Sequence, residues 1–286
     1  MGFINKIIQF VLFVATLLLI NIFTFVGIFS SNQNLTKILE TSGFYSVASK
    51  SMSSELIGQI TTSNQALSVA IKNSLGLAIN SDTAKTVITP GQIVFVEWLN
   101  NSQPTINLDL DLMPIKNKLI SSSVDPKVSF EITKLLPDNL LILNSKKDTN
   151  NLLPQLERIK LAYTTAKNAM PVLWLVVASC LLLLFILNIK KGSKKFTKAC
   201  YPLLFAGTLG LIIATSAVVV ASSIALDPNT KLEPNNFQLL TKIIMVAVQQ
   251  TTLAFSLLAV ASLAVIVISK FIYRGRDKAL KHKGKH

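Results

Sequence analysis

Charge is what this chain has least of. Asp, Glu, Lys and Arg make up 15% of its 286 residues, against roughly 25% in an ordinary soluble domain. That shortage argues against a soluble enzyme. Half of the chain is apolar, and so much apolar surface will be buried, which excludes disorder for the bulk. Two cysteines, Cys180 and Cys200, are too few to staple a small secreted module. The only histidines, His282 and His286, lie at the C-terminal end. Residues 30–169 therefore contain neither His nor Cys, so a zinc site, a Cys nucleophile and a Ser–His triad are excluded there. Ser46, Ser49, Lys50 and Ser51 leave a Ser–Lys dyad formally open, but no S-x-x-K spacing occurs in that stretch.

What the chain has instead is four runs without a single charge, residues 7–29, 170–189, 201–226 and 243–268. A hydrocarbon core of about 30 Å needs about 20 helical residues, and each run supplies them. Backbone groups in lipid have no water to bond, which demands helix. The first run has 23 residues, whereas a signal peptide's apolar region has about 7–15, and no clear A-x-A site follows it. It reads as an uncleaved signal-anchor. Lys6 stands where Ser or Thr is wanted, so Met1-Gly2 is a poor myristoylation signal.

Charge sets the orientation. Residues 1–6, 190–200 and 269–286 together carry +12 of the net +14, whereas 30–169 is nearly balanced and 227–242 is neutral. Short Lys/Arg-rich pieces stay cytoplasmic, and long segments cross largely regardless of charge. The sequence thus predicts a plasma-membrane, multi-pass protein with both termini cytoplasmic and four transmembrane α-helices in a 1+3 arrangement. Its expected divisions are a stub and first helix at 1–29, an extracytoplasmic domain at 30–169, three further helices within 170–268 and a basic tail at 269–286. None of the cytoplasmic pieces is long enough to bury a core, so no kinase, ATPase or DNA-binding module is expected inside, and no nucleic acid as partner.

The extracytoplasmic domain reads as α+β. A helix over 34–40 stops at Gly43, and 44–60 and 66–79 continue helically. Pro90 after Thr89 has the look of a first-turn proline behind an N-cap. Ile106, Leu108, Leu110 and Leu112 alternate with Asn107, Asp109 and Asp111, a strand with one wet face. Pro114 opens a short helix, 128–132 and 139–143 are strand candidates, and 151–168 is a helix. That last helix is expected to run nearly unbroken through Met170-Pro171 into the second span, because a proline there bends a helix without ending it. Movement in the domain would then reach the membrane as a rigid-body shift.

The order Trp98-Leu99-Asn100, a short gap, Ile106-x-Leu108-x-Leu110 and Pro114-x-Lys116 resembles a pattern in uncharacterised bacterial integral membrane proteins with one span, an extracytoplasmic domain and further C-terminal spans. The resemblance covers the middle third of the domain. It implies a bacterial cytoplasmic membrane and no known activity.

Candidate chemistry is sparse. Asp109 and Asp111 share a strand face, with Asn107 as the one obvious third ligand, but Ca²⁺ takes at least six oxygens. They read as a solvated face, and no metal, cofactor or catalytic residue is expected. Cys180 reads as an apolar filler and Cys200 as an idle thiol. Asn34-Leu35-Thr36 and Asn100-Asn101-Ser102 are sequons that matter only in a eukaryotic secretory pathway. Lys270, Arg274, Arg276, Lys278 and Lys281 fix topology and offer contacts to anionic lipid head groups on a disordered tail. Gln249, Gln250, Thr251 and Thr252, with Asn21, suit hydrogen bonds between helices rather than an ion path. Gly207, Gly210, Ala214, Ala217 and Ala221 recur at spacings of three and four, as do Ala247, Gln250, Ala254, Leu257, Ala261 and Ala264. That pattern predicts a tightly packed antiparallel hairpin of the last two spans. The reading is a non-catalytic membrane protein whose outer domain senses, binds or scaffolds, with membrane lipids and a protein partner or a second copy as its company. The alternative is a permease-like subunit of an ABC-type mechanotransmission or transport complex, which shares the 1+3 layout.

Overall fold

The computed structural model describes residues 2–59, 65–100, 105–122, 126–144, 152–189, 194–225 and 234–283. Its elements run α1 (Gly2–Phe29), α2 (Asn32–Ser42), α3 (Phe44–Gln59), α4 (Gln65–Ala78), α5 (Ser81–Leu99), β1 (Asn107–Asp111), α6 (Met113–Ser122), α7 (Pro126–Leu135), β2 (Asn139–Asn144), α8 (Leu152–Leu187), α9 (Lys194–Ala225) and α10 (Pro234–Lys283). Among the described residues, four helical stretches are long and apolar enough to cross a membrane: Phe3–Phe29, Leu153–Leu187, Phe196–Ser216 and Thr241–Phe271. The chain is a membrane protein. Two compact units divide it, one of Gly27–Thr164 with Ala225–Val246, the other of Met1–Val26, Thr165–Ile224 and Ala247–His286.

The first unit is helical, and this corrects the α+β expectation. Among the described residues its only sheet is the antiparallel pair β1–β2. Leu108 faces Leu143 and Asp109 faces Leu141, so Ile142 is the extra residue of a bulge. The alternation at 106–112 and the strand at 139–143 are both present, but 128–132 lies in α7. Five alternating residues cannot decide between strand and helix. Read as far as Leu136, the buried positions Ser129, Ile132 and Leu136 recur at three and four, which is helical spacing.

The helix ends follow local chemistry. Ser31 caps α2 by accepting from the Asn34 amide at 3.3 Å. Gly43 ends α2 at φ 75°, a conformation that costs other residues roughly 1–2 kcal/mol. Asn80 caps α5, accepting from the Thr83 amide at 2.9 Å. Pro90 consequently lies inside α5 rather than at its start. The Thr89 hydroxyl, read from sequence as a cap, instead donates to the Lys85 carbonyl one turn back at 2.7 Å. The unit's main core joins Leu56 of α3, Leu75 of α4, Val87 of α5, Leu110 of β1, Ile115 of α6 and Ile132 of α7.

The second unit is built from most of α1, α8, α9 and α10. Leu12, Ala15 and Leu19 of α1 pack on Val177, Cys180 and Leu184 of α8. α8 is continuous from Leu152 to Leu187 with Pro171 inside it, as expected. α10 holds its helix to Lys283, so the described part of the tail is helical and not disordered. The connecting residues 190–193 and 227–233, with His286, lie outside the described residues.

Candidate functional site

In the second unit a cavity of about 310 Å³ lies between α1 and α9, lined by Gln9, Phe10, Phe13, Tyr201, Pro202 and Phe205. Its construction begins with a proline. Pro202 lies inside α9 and has no N–H, so the carbonyl of Lys198, four residues back, loses its ordinary helical donor. Gln9 of α1 replaces that donor, giving its Nε2–H to the Lys198 oxygen at 2.9 Å. Exposed backbone carbonyls are costly in lipid, and a neighbouring helix is one way to satisfy them. One turn below, Asn5 and Asn188 exchange carboxamide hydrogen bonds at 3.3 and 3.4 Å, both buried, and Asn188 Nδ2 also donates to the Leu184 carbonyl at 2.8 Å.

These interhelical amides fall where sequence reasoning did not look. The residues it named act otherwise. Asn21 donates to its own helix at the Leu17 carbonyl, Thr251 to Ala247 and Thr252 to Val248, and Gln249 and Gln250 are exposed. Hydroxyls at these spacings close on the carbonyl four residues back because it is the nearest acceptor. The missed signal was an Asn or Gln near the end of an uncharged run opposite a proline.

The α9–α10 hairpin is antiparallel, but its seam differs from the expected one on α10. A Cβ on Gly207 would come within 2.9 Å of the Ala259 backbone nitrogen and Cβ, and a Cβ on Gly210 would clash with the edge of the Phe255 ring. Ala214 is buried on the same face of α9, as the spacing predicted, whereas the side chains of Ala217 and Ala221 lie outside the described residues. On α10 the inward residues are Phe255, Ala259, Ser262, Ile266 and Ser269, while Gln250, Leu257, Ala261 and Ala264 are exposed. A large ring fills the space left by glycine, so counting small residues alone selects the wrong face.

In the first unit several polar side chains bond one another inside the fold. Gln92 Nε2 donates to the Tyr45 hydroxyl at 2.8 Å, and Thr36 donates to Gln92 Oε1 at 3.2 Å. Tyr163 donates its hydroxyl to Asn100 Oδ1 at 2.9 Å, while Asn100 Nδ2 donates to the carbonyls of Val96 and Phe29. The sequon nitrogen of Asn100 is thus engaged inside the fold; Asn101 and Ser102 lie outside the described residues. Lys160 stands 4.6 Å over the Trp98 ring, a cation–π contact. Lys85 bonds the Glu40 carboxylate, which raises the lysine's pKa.

The carboxylates of the strand face do not converge. Asp111 Oδ1 accepts from the Met113 amide at 2.9 Å, shaping the turn into α6, and Asp109 is exposed. No three His, Cys, Asp or Glu side chains gather as a metal-ligand group among the described residues. Cys180 and Cys200 are both buried free thiols. Of the five tail residues named from sequence, Lys270 is exposed on α10. Arg274, Arg276, Lys278 and Lys281 lie on the helical backbone, with side chains outside the described residues. Positions 270, 274, 278 and 281 fall on one stripe of an ideal helix, and 276 does not. No protein-family model, no curated protein and no solved structure matches the chain.

Proposed function

We propose that this chain is a non-catalytic protein of a bacterial cytoplasmic membrane whose first unit is an extracytoplasmic binding or scaffolding module for another protein. The observation that carries this reading is the apolar surface of α4, α6 and α7, three helices in mutual contact. Val69 and Leu77, Ile120, and Phe130 and Leu135 are exposed on them, although the same helices also contribute to the core. Exposed apolar surface on neighbouring elements marks interaction sites. The positive balance of residues 1–6, 190–200 and 269–286 supports this unit lying outside and both termini inside.

The test is purification of the intact protein in mild detergent after cross-linking in cells, with partners identified by mass. A partner cross-linked through α6 or α7 and lost on Ile120→Glu with Phe130→Glu, with thermal melting unchanged, is the expected result. Recovery of no partner, or of one insensitive to both substitutions, overturns it. Stoichiometric co-purification of an ATPase would instead favour the ABC-type permease reading.

A further inference from the structure

The cavity between α1 and α9 combines an apolar wall with charge at one end. Phe10 and Phe205 are 67% and 68% exposed, so the wall is open to its surroundings rather than sealed in a core. Lys6, Phe10 and Phe13 follow at four and three residues along α1, and Lys198, Tyr201 or Pro202, and Phe205 do the same along α9. Spacings of three and four keep residues on one helix face. The Gln9–Lys198 hydrogen bond fixes the two helices at the level of Tyr201 and Pro202. On each helix the lysine thus precedes the first cavity-lining residues by three and four positions, at the same end of the groove. The Gly207–Ala259 and Gly210–Phe255 contacts commit another face of α9 to α10.

We infer that this groove is a binding site for a single anionic phospholipid, with one acyl chain against Phe10, Phe13 and Phe205 and the phosphate at Lys6 and Lys198. A plain lipid-facing surface would be apolar throughout. This one has an indentation, near the lower limit of the roughly 300–1,000 Å³ usual for ligand sites, and two cations where a head group would lie. Tyr201 lies between the two regions, as tyrosines do at the level of head groups. A second copy of this chain would bring the same lysines to the same end and oppose like charge with like, so charge complementarity selects an anionic lipid. The inference is independent of which protein the first unit binds, and of which leaflet holds the lysine end.

Native mass spectrometry of the full-length protein tests it, in mild detergent with dioleoylphosphatidylglycerol or dioleoylphosphatidylcholine added at equal concentration. One phosphatidylglycerol per chain should be retained over phosphatidylcholine by roughly thirty-fold, from two basic residues at about 1 kcal/mol each. The double substitution Lys6→Gln, Lys198→Gln should bring the two lipids level. Phe10→Ala with Phe205→Ala should reduce retention of both lipids. Equal retention of the two lipids by the unsubstituted protein, undiminished preference in the lysine variant, or a lipid-free dimer overturns the site. The comparison of lipids on the unsubstituted protein stands even if a variant fails to fold.

Discussion

Gln9 and Pro202 are two residues whose roles exist only together. The proline strips the Lys198 carbonyl of its helical donor, and the glutamine restores one from another helix. Leaving a partly buried carbonyl unpaired costs about 1–3 kcal/mol. Gln9→Leu should therefore lower the detergent melting stability by about 1 kcal/mol, the lower end of that range. In a Pro202→Ala background the helix supplies its own N–H, and the same substitution should be nearly neutral. The coupling measured by this cycle should be about 1 kcal/mol; a coupling near zero would show that Gln9 contributes by packing alone. Sequence reading missed the pair because it sought polar residues in the middle of spans. The demand arises near a span's end and is created by a proline 193 positions away. Gly43, by contrast, was legible at once, since a glycine after an amphipathic turn ends a helix through its own backbone freedom and needs no partner.

Helices were legible where their demand was local. Four uncharged runs could only be spans, and a strict alternation at 106–112 could only be a strand. Pro90 was misplaced because a Thr-Pro pair is a good helix start in isolation, yet Asn80 lies nine residues upstream of Thr89 and caps the same helix first. The α10 face was misread because alanines surround that helix, and the residue that meets Gly210 is a phenylalanine. The hairpin itself gives a sharp expectation. At Gly207 an added methyl meets the Ala259 backbone, which cannot move aside as a side-chain tip can. Gly207→Ala should destabilise the protein by about 1–3 kcal/mol, the usual range for overpacking. Ile212→Phe, at an exposed position of the same helix, should stay within about 0.5 kcal/mol. Equal melting of the two variants would mean that the helices part readily at this crossing.

For the whole molecule, the distribution of charge makes the strongest statement. By the preference of short Lys/Arg-rich pieces for the cytoplasmic side, the pieces with +12 are expected inside and the nearly balanced stretch of 140 residues outside. With Cys180 and Cys200 replaced by Ala, Ser122→Cys and Ser145→Cys should react with an impermeant thiol reagent in intact cells. Ser193→Cys should react only after permeabilisation. Protection of Ser122→Cys together with labelling of Ser193→Cys would invert the topology. The membrane class was readable from composition because an uncharged run of this length has few other uses. The character of the first unit was not, since short apolar runs serve strands and helices alike until their neighbours fix the period.

The Gln9–Pro202 pair also gives sequence drift a direction. A lineage can lose Pro202 first at little cost and shed Gln9 afterwards, because the Lys198 carbonyl is then served by its own helix. The opposite order passes through an intermediate with a bare carbonyl. Relatives of this chain should therefore include some with the glutamine and no proline, and very few with the proline and no donor at the position of Gln9.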